Sequence, residues 1–170
     1  MKTVELRRHT DNDDDQLSEQ GVADAQEIAA RLRPPYDLLV STGAERAIQT
    51  LQIWRTAVAA EAPLEQEIAL RSRREDEWRQ AYQEAGSGEL ARMREADPDL
   101  VREDSAVLGA ALRRVFDRIP EGGQALVVGH SPTNEAAVLG LTGEYIDPLD
   151  KGAGVLVVQD GDSYRMEPLR

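Results

Sequence analysis

The sequence predicts a three-layer α/β/α sandwich with a mostly parallel central sheet. Three observations carry this. Short apolar runs, at residues 2–8, 36–40 and 124–129, alternate with longer segments of helical spacing. Strands alternating with helices build parallel sheets covered on both faces. The breaks between segments are brief turns, such as Pro34-Pro35, Gly43 and Gly122-Gly123, and none is long enough to be a linker. The 170 residues are therefore expected to form one domain, 1–170, large enough for a real core.

Residues 2 to 8 read as a first strand, followed by a polar loop from Asp11 to Gln16. Ser18 caps a helix whose inner side is Val22, Ala25, Ile28, Ala29 and Leu32, and Pro34-Pro35 stops it. Tyr36 to Val40 is a short buried strand. Gly43 breaks it, and a helix to about Ala60 carries Ala47, Leu51, Trp54 and Val58 on one face. Beyond Pro63, residues 67–71 read as a short extended piece. A polar helix to about Ala85, the Gly86-Ser87-Gly88 break and more helix to Ala96 follow. Asp97-Pro98 starts a long helix to Ile119 with Val107, Leu108, Ala111, Leu112, Val115 and Phe116 inward. Gln124 to Gly129 is a strand, 132–141 a small-residue helix, and Val155 to Met166 a hairpin around Asp160-Gly161-Asp162.

Composition bounds the function. There are no cysteines, so disulfides, thiolate metal sites and cysteine nucleophiles are excluded. The N-terminal residues lack the apolar stretch of a signal peptide, and no run approaches the roughly 20 apolar residues of a membrane span. A cytoplasmic location is the expectation. A net charge of -12 argues against nucleic acid or anionic membrane as partners. The only lysines are Lys2 and Lys151, so nearly every cation is an arginine, the better bidentate ligand for phosphate.

The two histidines are the most informative residues. His9 closes the first strand and His130 closes the strand Ala125 to Gly129. Arg46 sits just past the strand that lies between them in sequence. Ligands of open α/β sheets bind outside the carboxyl ends of the strands. Two imidazoles and at least two guanidiniums would meet at one sheet edge, a constellation for handling a phosphoryl group. Arg7, adjacent to Arg8, is expected on the opposite side of the strand.

Leu6-Arg7-Arg8-His9, Leu17-Ser18-Glu19-Gln20-Gly21, Arg46-Ala47-Ile48-Gln49-Thr50 and Gly129-His130 together resemble the histidine phosphatase superfamily. The resemblance runs from about residue 3 to 140 and implies the phosphoglycerate mutase-like fold. It further implies that His9 is the nucleophile and forms a phosphohistidine that water hydrolyses. A backbone carbonyl would orient its other ring nitrogen. Arg8 and Arg46 would clamp the phosphoryl oxygens and His130 would stabilise the transferring group. Ser18, Gln49 and Thr50 would be structural. No metal or other cofactor is implied. The expected partner is a small phosphorylated substrate or a phosphoprotein.

Two positions depart from the family pattern. Thr10 stands where glycine is usual; a β-branched residue resists positive φ, so the turn differs or is strained, and its hydroxyl is a candidate phosphate contact. Ser72 stands where the family usually has the glutamate that protonates the leaving oxygen, and a serine is no ordinary general acid near neutrality. Glu75, one turn on, is a candidate donor, with an ion pair to Arg71 or Arg79 as its plain alternative. An aspartate of the 11–15 loop is a second candidate. The third option is no acid at all, which suits a phosphohistidine or acyl phosphate. Arg71, Arg73 and Arg74 form a basic island that either holds a second anionic group or is balanced by Glu75, Asp76 and Glu77. The expected activity is a metal-independent phosphatase; a mutase fits less well with so short a chain. The rival is a non-catalytic member that binds a phosphate or a protein, motivated by Ser72. A metal module built on the Asp11–Asp15 run lacks the ligand spacing of a calcium loop.

Overall fold

A computed structural model describes residues 1–169. Lys2–Arg8 (β1), Leu38–Ser41 (β4), Leu64–Gln66 (β5), Gln124–Gly129 (β6), Gly154–Asp160 (β7) and Ser163–Pro168 (β8) form one sheet. Asn12–Asp13 (β2) and Gln16–Leu17 (β3) make a separate two-stranded ribbon inside the expected polar loop. Asp14 turns it at φ 49, a left-handed conformation that aspartate tolerates. The large sheet runs β5-β4-β6-β1-β7-β8. β5, β4, β6 and β1 are parallel, while β7 and β8 are antiparallel.

The pleat sorts the chain into two cores. Val4 and Leu6 of β1, Val40 of β4 and Val127 of β6 face Pro98–Asp117 (α5) and Thr133–Thr142 (α6), with Glu75–Ala85 (α3) and Leu90–Ala96 (α4) on the same side. Leu39, Leu126 and Val128 face Glu19–Ile28 (α1) and Glu45–Ala57 (α2). Two helices cover one face and four the other, the predicted three layers. Glu5 and Arg7 also lie on the α1–α2 side, fully desolvated as a pair at 2.6 Å. Tyr36 Oη and the Arg33 N–H donate to Glu5, and Arg7 Nη1 donates to the Gly152 carbonyl. Each buried charge is thus hydrogen-bonded, as burial demands.

Caps fall where the sequence placed them. Ser18 Oγ accepts from the Gly21 N–H at 3.0 Å, and Asp97 accepts from the Leu100 N–H at 3.1 Å with Pro98 at the first helical position.

Three expectations need correction. The extended piece is Leu64–Gln66, not 67–71; Ile68–Leu70 is a turn of 3₁₀ helix. Pairing with β4 decides this, since Leu39 and Ser41 oppose Leu64 and Gln66. Val107 is 57% exposed and Val22 is 37% exposed. The buried stripe of α5 instead passes through Leu100, Asp104, Leu108 and Leu112, with an acid inside it. Among the described residues, no helix is long and apolar enough to cross a membrane.

α5 and α6 touch backbone to backbone. A Cβ on Gly109 would stand 2.6 Å from the Gly140 carbonyl carbon, and one on Gly140 would collide with the Ser105 carbonyl. Helix main chain on both sides cannot give way as a side chain would. Gly140→Ala is expected to cost about 1–3 kcal/mol, lowering the melting temperature by roughly 2–4 °C for each kcal/mol. Thermal unfolding of the variant beside the parent protein checks this.

Candidate active site

β4, β6 and β1 are parallel neighbours, so their carboxyl ends open on one edge. His9 follows β1, Ser41-Thr42-Gly43 ends β4, and His130 follows β6. Arg8 pairs with Gly129 in the ladder, and the His9 N–H donates to the Gly129 carbonyl at 3.0 Å. The two imidazoles meet edge to face with centroids 5.2 Å apart.

His9 Nδ1–H donates to the Thr10 carbonyl at 2.7 Å. This fixes the tautomer and leaves Nε2 with a free lone pair. Burial, against the opposing Thr10 bond and with help from nearby Arg46, Arg8 and Lys151, lowers the His9 pKa to about 4. The ring is neutral at pH 7. His130 is lowered to about 2, by burial first and then by Arg46 and His9.

His130 Nε2 lies 2.7 Å from Thr42 Oγ1. That oxygen also accepts from the Ala44 N–H at 3.5 Å, and its own hydrogen has no other acceptor among the described residues. Thr42 therefore donates to Nε2, and the ring proton sits on Nδ1. Nδ1 is buried without a protein partner, and so is Arg8 Nε. Arg8 Nη1 is anchored on the Leu149 carbonyl at 2.8 Å. Arg46, at the start of α2, donates through Nη1 to Asp15 at 2.8 Å. Unanswered donors and cationic groups beside an unprotonated imidazole nitrogen suit an anionic tetrahedral group.

Arg46, Arg71, Ser72, Glu75, His130 and Ser131 are among the residues that line a cleft of about 280 Å³, together with the apolar Trp78 and Pro132. A larger groove of about 730 Å³ lies between α1 and α2, but its lining of glutamines, Val22 and Ile53 carries no ionisable group.

The structure brings His9, Arg8, Arg46 and His130 to one edge and turns Arg7 away from it. Glu75 lies in the cleft wall, where its carboxylate accepts from Arg71 Nε at 2.8 Å. Thr10 is a correction. It is fully buried, its hydroxyl donates to the Gly21 carbonyl at 2.8 Å, and its N–H donates to Thr50 Oγ1 at 3.3 Å. Both polar groups are spent on the protein, so Thr10 buttresses His9 and does not face the cleft. Its φ is not positive, so the strain expected of a β-branched residue there does not arise.

Ser72 is a structural replacement for the usual acid. Its hydroxyl donates to Asp104 Oδ2 at 2.6 Å, and Trp78 Nε1 donates to the same oxygen at 2.6 Å. Asp104, inside the apolar stripe of α5 at four-residue spacing from Leu100 and Leu108, was the missed signal. The Asp11–Asp15 run is divided among partners. Asp11 accepts from Ser18 and Lys151, and Asp15 holds Arg46.

A family model described as the histidine phosphatase superfamily, branch 1, matches residues 3–153. The chain belongs to this superfamily. No curated protein matches it. Among solved structures, a phosphoglycerate mutase from Bacillus anthracis str. Sterne is similar at TM-score 0.69 and 18% identity, with 98% of this chain and 91% of that one covered. A mycobacterial glucosyl-3-phosphoglycerate phosphatase in complex with inorganic phosphate is similar at TM-score 0.68 and 15% identity, covering 98% and 96%. The protein histidine phosphatase SixA in complex with tungstate is similar at 0.61 and 19%, covering 97% and 94%. The chain therefore shares one fold with a mutase and with two phosphatases.

The threonine–imidazole bond has a measurable consequence. Thr42→Val should leave His130 Nε2 buried without a donor, at about 1–3 kcal/mol of stability. Ring ¹⁵N NMR should show the Nδ1–H tautomer in the parent protein and a mixture in the variant.

Proposed function

We propose that the protein is a metal-independent phosphatase that works through a phosphohistidine on His9. The observation that carries this is the fixed His9 tautomer. Thr10 holds Nδ1–H, so Nε2 is the free nucleophile, and the orphan donors of Arg8 and His130 stand on the same edge. Attack on phosphorus places negative charge on the equatorial oxygens. Arg8, Arg46 and His130 Nδ1–H supply the preorganised donors for it. Water then attacks the phosphohistidine, and the P–N electron pair returns to Nε2.

The substrate is a small phosphomonoester or a phosphohistidine. A cleft of about 280 Å³ lined in part by Trp78 and Pro132 favours a compact leaving group. The likeness to SixA, a protein histidine phosphatase, and to a glucosyl-3-phosphoglycerate phosphatase lends support to both classes. The Ser72–Asp104 bond favours one other reading, a member that binds phosphate without turnover, because it takes the usual acid position out of the chemistry.

Hydrolysis of p-nitrophenyl phosphate with EDTA, and with no bisphosphate added, separates these readings. Parent protein should release inorganic phosphate and form an acid-labile phosphoenzyme. His9→Ala should do neither while folding normally. Binding of phosphate or tungstate without turnover would establish the non-catalytic reading. Because burial holds the His9 pKa at about 4, the nucleophile stays unprotonated from neutrality down to that pH. On p-nitrophenyl phosphate, whose leaving group needs little protonation, kcat/KM corrected for substrate ionisation should hold level from neutrality down to about 5 and fall near 4. A fall near the free-histidine value of about 6.5 would remove the desolvated-nucleophile assignment.

A further inference from the structure

Glu135 is a buried carboxyl that the chemistry above does not use. It sits in the first turn of α6 and is 1% exposed. Its Oε1 lies 2.8 Å from Ser131 Oγ, and its Oε2 has no hydrogen-bond partner. Ser131 lines the cleft beside His130 and Arg46. A buried carboxylate with one oxygen unanswered would be costly, whereas a neutral carboxylic acid leaves only a carbonyl oxygen unpaired. Burial raises the Glu135 pKa to about 7 against the opposing pull of Ser131, of the Glu135 main chain, of the Arg8 guanidinium and of the Leu149 main chain.

We propose that Glu135, acting through the hydroxyl of Ser131, delivers the proton to the leaving oxygen in place of the acid that Ser72 displaces. This rests on the phosphatase reading. With the carboxyl protonated, its O–H donates to Ser131 Oγ, and the serine hydrogen is free to point into the cleft. As His9 Nε2 forms its bond to phosphorus, the P–O bond to the leaving group breaks and its electron pair stays on that oxygen. The oxygen takes the Ser131 proton, and Ser131 takes the Glu135 proton. The resulting carboxylate is favoured by the Arg8 charge. In the second half, water adds to phosphorus and gives a proton to Ser131, which returns one to Glu135. The products are the alcohol and inorganic phosphate, with both residues restored. Ser131 is the group that touches substrate; Glu135 is a positioning and proton-holding residue behind it.

Glu75 is the competing donor, since it also lies in the cleft wall. The discriminating measurement is kcat/KM over a series of phosphomonoesters from p-nitrophenyl phosphate to an alkyl phosphate. It is made on parent protein, Glu135→Gln, Ser131→Ala and Glu75→Gln. Glutamine keeps the size of the buried side chain, and Ser131→Ala tests the same relay if Glu135→Gln folds poorly. The relay predicts that Glu135→Gln and Ser131→Ala each lose about 100-fold more on the alkyl ester than on the aryl ester. The double variant should be no worse than either single one, because the two act in series. Equal losses on both esters would overturn the relay and leave Glu135 a packing residue. So would a selective loss confined to Glu75→Gln, or a parent protein that cleaves the aryl ester alone. A parent protein with no His9-dependent activity on any ester would instead overturn the phosphatase reading itself.

Discussion

The parallel register that sets Arg8 opposite Gly129 is the constraint on which the site depends. It places the last residues of β1 and β6 at equal height, so the residue after each strand is a histidine on the same edge. A slip of one residue would send Val4, Leu6, Val127 and their neighbours to the wrong face. The alternation of Val4 and Leu6 with Glu5 and Arg7 in β1, set against the apolar run Ala125 to Val128 in β6, therefore secures the ring-to-ring contact indirectly. The core does not touch the chemistry, yet it sets the spacing of the imidazoles.

Burial then does the electrostatic work. Both rings are desolvated and both stand near guanidiniums, and each effect favours the neutral form. With the rings neutral, hydrogen bonds decide which nitrogen carries the proton. A carbonyl settles it for His9 and a hydroxyl for His130, with opposite results. One ring presents a lone pair and the other an N–H. Two residues of one type thus present different groups because their second nitrogens have different partners.

The sheet, the helices and the four-residue constellation of His9, Arg8, Arg46 and His130 were legible because each follows from local pattern and strand-end placement. What was hidden depends on partners distant in the chain. The Leu64–Gln66 strand has no periodicity of its own and is defined by β4. Ser72 owes its position to Asp104, 32 residues on, and to the Trp78 indole. Thr10 read as a cleft residue because its neighbour is one; only the approach of Gly21 and Thr50 turns its polar groups inward. Glu135 carried a signal that went unread, an acid within an apolar, small-residue helix.

Arg46 has an anion beside it, the half-exposed Asp15 carboxylate at 2.8 Å. An arriving phosphoryl group meets a carboxylate tethered within reach, at an effective concentration that dilution cannot lower. The competition discounts every anion by a similar factor, product as well as substrate. A loop of aspartates in a protein of net charge -12 thereby works against retention. In the proposed phosphatase, it weakens the hold of Arg46 on substrate and product alike, and so favours release over storage.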